Sequence, residues 1–338
     1  MNAPAWTSAR YETVEAHTGG EPLRILCGEL PAIPGDTILA KRAWARAHLE
    51  DLRRALMWEP RGHADMYGAL PTEPVTEDGD LGVLFLHNEG WSTMCGHGII
   101  ALVSAGLELG LFRARDPRVV RLDTPAGRVT AYPELADGRV RSVRFENVPS
   151  FVCARDLEVR LADGRTCRVD VAYGGAFYAY ADARALGVRV RPDACEELVR
   201  LGRDLKRAVA QAVELAHPSG EADLNFLYGA ILCEEARGDE PHRNVCVFAD
   251  GEVDRSPTGT GVSGRAALLH ARGQLELGDW VRIESVLGSA FDVRAARELR
   301  LGAFEAIVPE VRGSAHVVGR AEWWIDPTDA LGQGFLLR

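Results

Sequence analysis

The chain has 338 residues, 46% of them hydrophobic, enough for two cores of about 150 residues each. Its 39 Lys plus Arg against 49 Asp plus Glu give a formal charge of −10 with no basic block or aromatic stripe, which argues against a nucleic-acid surface and for a small-molecule enzyme. No segment reaches the roughly 20 apolar residues of a membrane span, and Met1-Asn2-Ala3-Pro4-Ala5-Trp6 lacks the basic start and apolar core of an export signal, so a soluble, cytoplasmic protein is expected.

In chain order, Tyr11 to Leu30 reads as a strand pair turning at Gly19-Gly20. Ile38 to Met57 has the apolar spacing of one amphipathic helix. Val83 to His87 is a buried-type strand, and Gly98 to Leu111 a mostly apolar helix. Arg118 to Tyr132 reads as a hairpin around Thr124-Pro125-Ala126-Gly127, and Val140 to Val152 as one further strand. Ala183 to Ala216 is mainly helical, with Pro192-Asp193 as a cap between two helices. Strands follow at Leu227 to Glu234 and Arg243 to Phe248, then a loop from Asp254 to Gly264 and a helix to His270. Strands from Trp280 to Val308 and from His316 to Ile325 close the second half. The expected domains are residues 1–150, residues 151–325, and a tail, 326–338, packing back on the first domain.

The two halves repeat each other. Val14-Glu15-Ala16-His17-Thr18-Gly19-Gly20-Glu21 matches Val169-Asp170-Val171-Ala172-Tyr173-Gly174-Gly175-Ala176. Further on, Met94-Cys95-Gly96-His97-Gly98 matches Pro257-Thr258-Gly259-Thr260-Gly261, each a small-residue turn opening into a helix. Two related subdomains are therefore expected. A helix mouth carries unsatisfied amides and partial positive charge, so it favours a thiolate and holds anions. The first mouth carries Cys95 and the second Thr258.

The seven cysteines are odd in number, widely spaced and free of Cys-x-x-Cys pairs, which argues against disulfides and structural zinc. All but Cys95 read as small buried apolar residues. The two lysines, Lys41 and Lys206, lie away from the glycine motifs, which argues against pyridoxal phosphate. Gly259 to Gly264 spells Gly-x-Gly-x-x-Gly, but without a surrounding βαβ pattern it does not indicate a nucleotide.

Taken in order, His17-Thr18-Gly19-Gly20-Glu21-Pro22, Glu59-Pro60-Arg61-Gly62-His63, Met66-Tyr67-Gly68, Met94-Cys95-Gly96-His97-Gly98, Thr124-Pro125-Ala126-Gly127 and Asp254-Arg255-Ser256-Pro257-Thr258-Gly259-Thr260-Gly261 resemble the motifs of the proline racemase superfamily over nearly the whole chain. The resemblance implies an α/β (α+β) fold of the diaminopimelate epimerase type, two pseudo-symmetric subdomains each with strands wrapped around a central helix, and a site in the cleft between them. Family racemases and epimerases have cysteine at both mouths, one removing the α-proton and the other returning a proton on the opposite face. Threonine at the second position resembles the trans-3-hydroxy-L-proline dehydratase branch of the family; a hydroxyl cannot serve as the second base at neutral pH, so two-base racemisation is expected to be lost.

By that resemblance Cys95 is the catalytic residue. The amides of Gly96, His97, Gly259 and Thr260 hold the substrate carboxylate, Asp254 and the His97 ring contact its nitrogen, and Thr258 lines the pocket. Bland alternatives are a solvated loop acid for Asp254, a packing histidine for His97 and a plain helix cap for Thr258. His17, His63 and Glu21 read as loop-fixing residues, and Trp323-Trp324 as packing between subdomains. No cofactor or metal is expected; the partner is a small imino acid, with a homodimer as one expected assembly and hydroxyproline catabolism as the setting. Two other functions stay open: a proline or hydroxyproline racemase or epimerase, and a non-catalytic imino-acid binding protein.

Overall fold

A computed structural model, which describes residues 4 and 7–337, gives the repeat its three-dimensional form. The reading of residues 1–6 as lacking an export signal falls, Pro4 apart, outside the described residues. Strands Ala9–Thr18 and Glu21–Cys27 pair antiparallel around Gly19-Gly20, both at positive φ, where glycine is unstrained. Helices α1 (Ile38–His48) and α2 (Glu50–Met57) follow. Next come strands Tyr67–Thr72, Leu81–His87 and Gly90–Ser92, helix α3 (Gly96–Leu109), and strands Val120–Thr124, Gly127–Ala136, Arg139–Glu146 and Ser150–Arg160. The second half runs Thr166–Tyr173, Phe177–Asp182, helix α4 (Cys195–Ala212), Leu227–Glu234, His242–Phe248, Glu252–Asp254, helix α5 (Gly259–Ala271), Trp280–Glu284, Ala290–Leu301, Phe304–Gly313 and Ala315–Ile325.

Pairing repeats with the order. Strand two of each half pairs parallel with strand three (Arg24 with Gly68; Phe177 with Leu227). Strand three pairs antiparallel with strand four, which pairs antiparallel with a three-residue strand leading to the helix. After the helix, the next strand pairs parallel with strand four in both halves. The first strand of each half then takes the last strand of a half as its other neighbour. Ala9–Thr18 pairs with Ala315–Ile325, and Thr166–Tyr173 pairs with Ser150–Arg160.

The strand at 315–325 therefore does not close the second half, as its position in the sequence suggested. One unit holds Thr93 and the described residues before it, Gly98–Val143 and the described residues from Ser314 on; the other holds Met94–His97 and Arg144–Gly313. The tail lies with the first unit, where Phe335 bridges Glu59 and Gly332 O accepts from Arg61. Trp323 also belongs there, its indole donating to Thr13 Oγ1 at 2.8 Å and its ring lying 4.2 Å from the Arg24 guanidinium.

Three other expectations change. The helix read over 38–57 breaks at Leu49, whose φ and ψ of −117° and 20° leave the α region. The charges match two dipoles rather than one: Arg46 and His48 end α1, and Glu50 and Asp51 begin α2. The strand read over 140–152 is two, separated at Asn147-Val148-Pro149, where Pro149 has no N–H to give a ladder and Asn147 N turns to Pro309 O. Pro192-Asp193 does not separate two helices but forms a single 3₁₀ turn running into α4.

Within the second unit α5 is the central helix, buried on every side from Gly259 to Leu269. α4 buries Leu198, Leu201, Leu205 and Val209 at helical spacing, each contributing about 2 to 3 kcal/mol of apolar burial. The first unit's core gathers Leu26, Ile38, Leu56, Leu70, Leu84 and Trp91. No helix among the described residues is long and apolar enough to cross a membrane.

α5 is tied to its unit by Arg265, which is buried and ion-pairs with Glu235 at 3.0 Å. Burial alone would raise the Glu235 carboxyl, but the His242 hydrogen bond and the Arg265 charge outweigh it and hold it at about 2. An unfolded glutamate titrates at about 4.3, so this pair stabilises the fold above about pH 5 and loses its effect as the pH falls toward 2. The melting temperature of Glu235→Gln should therefore lie furthest below wild type near neutral pH, with the gap closing below about pH 3. A gap that widens in acid would contradict this assignment.

Candidate active site

Strand Glu252–Asp254 brings the chain to a tight double turn before α5. Asp254 Oδ1 accepts from Ser256 N at 2.8 Å, and Ser256 Oγ accepts from Thr258 N at 3.1 Å. These bonds hold Thr258 at φ 67° and ψ 95°, a costly conformation for a β-branched residue. Its carbonyl accepts the helical bond from Val262, but its side chain makes no capping bond, and the buried Oγ1 has no hydrogen-bond partner among the described residues. The plain-cap reading of Thr258 is thereby excluded, and an orphaned buried hydroxyl is available to a ligand.

Against this turn lies Met94–His97 of the same unit. Gly96 and Gly259, each the first residue of its helix, meet backbone to backbone: a Cβ added to Gly96 would stand 2.5 Å from Gly259 Cα, and one added to Gly259 2.6 Å from Gly96 Cα. Two helix mouths are thus held side by side, Cys95 preceding one and Thr258 the other, with both residues only 4% exposed. The unsatisfied amides that open a helix favour an anion at such a start.

The remaining residues fill the same locus. His97 is buried, with Nδ1 3.2 Å and Nε2 3.5 Å from Cys95 Sγ. Asp254 is also buried, its Oδ2 4.0 Å from His97 Nδ1, which excludes a solvated loop acid. All seven residues named from the sequence, Cys95, Gly96, His97, Asp254, Thr258, Gly259 and Thr260, therefore come together in one unit. Cavities of about 930 and 220 Å³ elsewhere in that unit are lined by none of them, so the candidate site rests on its residue chemistry and not on cavity size.

Sequence reasoning missed the supports. Ser256 sets the turn. Asn147 Nδ2 donates to Ser263 Oγ at 2.9 Å and Gly174 O at 2.7 Å, and Ser263 Oγ donates to Gly259 O at 2.8 Å. Tyr178 Oη lies 2.6 Å from Thr260 Oγ1, and Tyr180 Oη donates to Gly261 O at 2.8 Å. Burial drives both phenols well above the usual tyrosine range, so they stay neutral. Gly174 is glycine because a Cβ there would overlap Thr260 O, which gives the second copy of the glycine pair its packing reason.

The weaker candidates hold loops. His17 Nδ1 accepts from Gly20 N at 3.3 Å, and His63 Nδ1 donates to Ala64 O at 2.5 Å. Among the cysteines, Cys95, Cys233 and Cys246 are buried, while Cys27, Cys153, Cys167 and Cys195 are half-exposed, which corrects the expectation that all six others lie buried; all seven are free. α5 does join two strands that pair in parallel, His242-Arg243 with Ile283-Glu284, a crossover not visible in the sequence. Its glycines nevertheless serve helix packing at Gly96 and Tyr180. No group of three or more metal-ligating side chains occurs among the described residues.

Two halves that repeat the same order of strands around a glycine-opened helix define an α/β protein of the proline racemase class. The chain belongs to the proline racemase family, whose model matches residues 13–336. A Colwellia psychrerythraea protein named trans-3-hydroxy-L-proline dehydratase is 47% identical, covering 96% of this chain and 92% of its own length. A Burkholderia multivorans protein named 3-hydroxyproline 2-epimerase is 46% identical, covering 98% and 99%. The crystal structure of a hydroxyproline epimerase from Agrobacterium vitis with bound trans-4-hydroxy-L-proline matches at a TM-score of 0.92 and 31% identity, over 99% of this chain and 96% of that one.

Proposed function

We propose that the protein is a cofactor-independent hydro-lyase of the cytoplasm that converts trans-3-hydroxy-L-proline to Δ1-pyrroline-2-carboxylate and water. Overall identity does not choose between the dehydratase and epimerase relatives, which differ by one percentage point. The observation that carries the choice is Thr258: the mouth beside Cys95 ends in a hydroxyl, so one thiol is available where two-base inversion needs two acid–base groups. Seven free thiols fit a reducing compartment.

In the substrate the 3-hydroxyl lies opposite the carboxylate, hence on the ring face of the C2 hydrogen. Cys95 as thiolate takes the C2 proton; the C2 electron pair forms the C2–C3 double bond as the C3–O bond breaks; and the Cys95 thiol returns its proton to the departing hydroxyl, which leaves as water. Thiolate is regenerated, and the enamine tautomerises to the imine by moving a proton from nitrogen to C3. Deprotonation builds a second negative charge beside the carboxylate. The amides of Gly96, His97, Gly259 and Thr260 oppose it, each such donor being worth about 3 kcal/mol in a water-poor site. Asp254 compensates the positive substrate nitrogen, the His97 ring stands between that charge and the thiol, and the Thr258 hydroxyl lines the pocket on the ring face opposite Cys95.

Proton NMR in D2O tests this. Trans-3-hydroxy-L-proline should disappear into Δ1-pyrroline-2-carboxylate while L-proline and trans-4-hydroxy-L-proline stay unchanged; C2 deuteration with inversion would instead establish an epimerase. Thr258→Cys should add that second activity, exchanging C2 protons on the opposite face. A folded, substrate-binding variant that exchanges none would place residue 258 away from the second face.

A further inference from the structure

We infer that Tyr178 is a positioning residue for the anion-holding end of α5, its phenol hydroxyl fixing Thr260 and with it the adjoining amides of Gly259 and Thr260. The inference rests on the reading that those amides grip the substrate carboxylate. Tyr178 is 1% exposed and makes one side-chain hydrogen bond among the described residues, the 2.6 Å contact with Thr260 Oγ1; its ring meets Tyr180 and Tyr228 edge-on at 6.4 and 5.6 Å. A phenol buried this deeply is desolvated at a cost that a single good bond offsets, so the bond's placement on the second residue of α5 matters.

Tyr180 lies two residues along the same strand, on the same face, and binds Gly261 O in the next position of the helix. Gly264 leaves room for the Tyr180 hydroxyl, since a Cβ there would overlap it. Strand Phe177–Asp182 thus holds the first turn of α5 by two hydroxyls in succession. The mouth cannot slide along its axis or rotate without breaking the Tyr178 bond. Amide direction at Gly259 and Thr260 follows from that constraint, and carboxylate affinity follows from amide direction.

Tyr178→Phe removes the hydroxyl and keeps the ring. Two readouts are used: the KM and kcat for trans-3-hydroxy-L-proline, and the L-proline concentration that half-protects Cys95 from iodoacetamide. Both KM and half-protection should rise about tenfold, the equivalent of one lost hydrogen bond, with kcat reduced less than KM is raised. Thr260→Val removes the same bond from the other side, so it should reproduce the change, and the double variant should be no weaker than either single one. Should Tyr178→Phe fail to fold, Thr260→Val alone carries the test. A lower melting temperature with unchanged KM and half-protection would overturn the inference, as would additive losses in the double variant. If wild type fails to dehydrate the substrate yet L-proline protects Cys95, the dehydratase reading falls while the tyrosine test still runs; no protection in wild type overturns both.

Discussion

Replacing Cys95 by serine is expected to lower turnover of trans-3-hydroxy-L-proline by about a thousandfold or more, with the fold and ligand affinity retained. Positioned general acid–base groups contribute about 10² to 10⁴ in rate, and in the proposed mechanism one sulfur performs both proton transfers, so nothing on the same face replaces it. The serine hydroxyl is far too weak an acid to supply the oxyanion that would act as base. Its smaller atom fits the space that Sγ occupies 3.2 Å from His97 Nδ1, so packing should hold. Binding should hold too, because the proposed grip on the carboxylate comes from backbone amides that the substitution does not touch. The experiment is a kinetic comparison with a parallel L-proline binding measurement. Turnover within tenfold of wild type would remove Cys95 from the mechanism, and loss of binding along with turnover would show a damaged site in place of a missing base.

How much of this was legible beforehand depends on the range of each interaction. The repeated glycine pairs and helix mouths are local features, and their physical reason, backbone contact at Gly174 and at Gly96 with Gly259, constrains the residue type directly. The seven candidate residues that lie together in one unit could therefore be named from sequence. The break at Leu49 carries no glycine or proline, and only the charge reversal from Arg46 and His48 to Glu50 and Asp51 marked it. The exchange of last strands was not legible at all, because Ala9 finds Ile325 across more than 300 positions and an alternating strand pattern does not name its partner. Tyr178 and Tyr180 carry no sequence signal, and only the contacts of their hydroxyls with Thr260 and Gly261 mark them. Ser256 could have been found, since a serine two residues after aspartate and three before a helix start is a turn signature.

The contact between the two helix mouths leads to the second large effect. Gly96→Ala should reduce turnover by about a hundredfold and lower stability by about 1 to 3 kcal/mol. The added methyl would sit 2.5 Å from Gly259 Cα, and the atom opposing it is backbone, which has no rotamer by which to yield. Relief requires the two helix starts to part, by roughly an ångström if the methyl is to reach ordinary van der Waals contact. Cys95 and Thr258 each lie one residue before the glycines that would move, so the thiol, the hydroxyl and the amides shift relative to one another together. A misplacement of that size costs about 10² in rate when catalysis depends on alignment. Gly259→Ala introduces the same clash from the other side, at 2.6 Å, and should behave alike. Thermal melts and steady-state kinetics on both variants check the point. Either variant folding with wild-type turnover would mean that the mouths tolerate separation, and that substrate positioning relies on side chains rather than on the paired backbone amides.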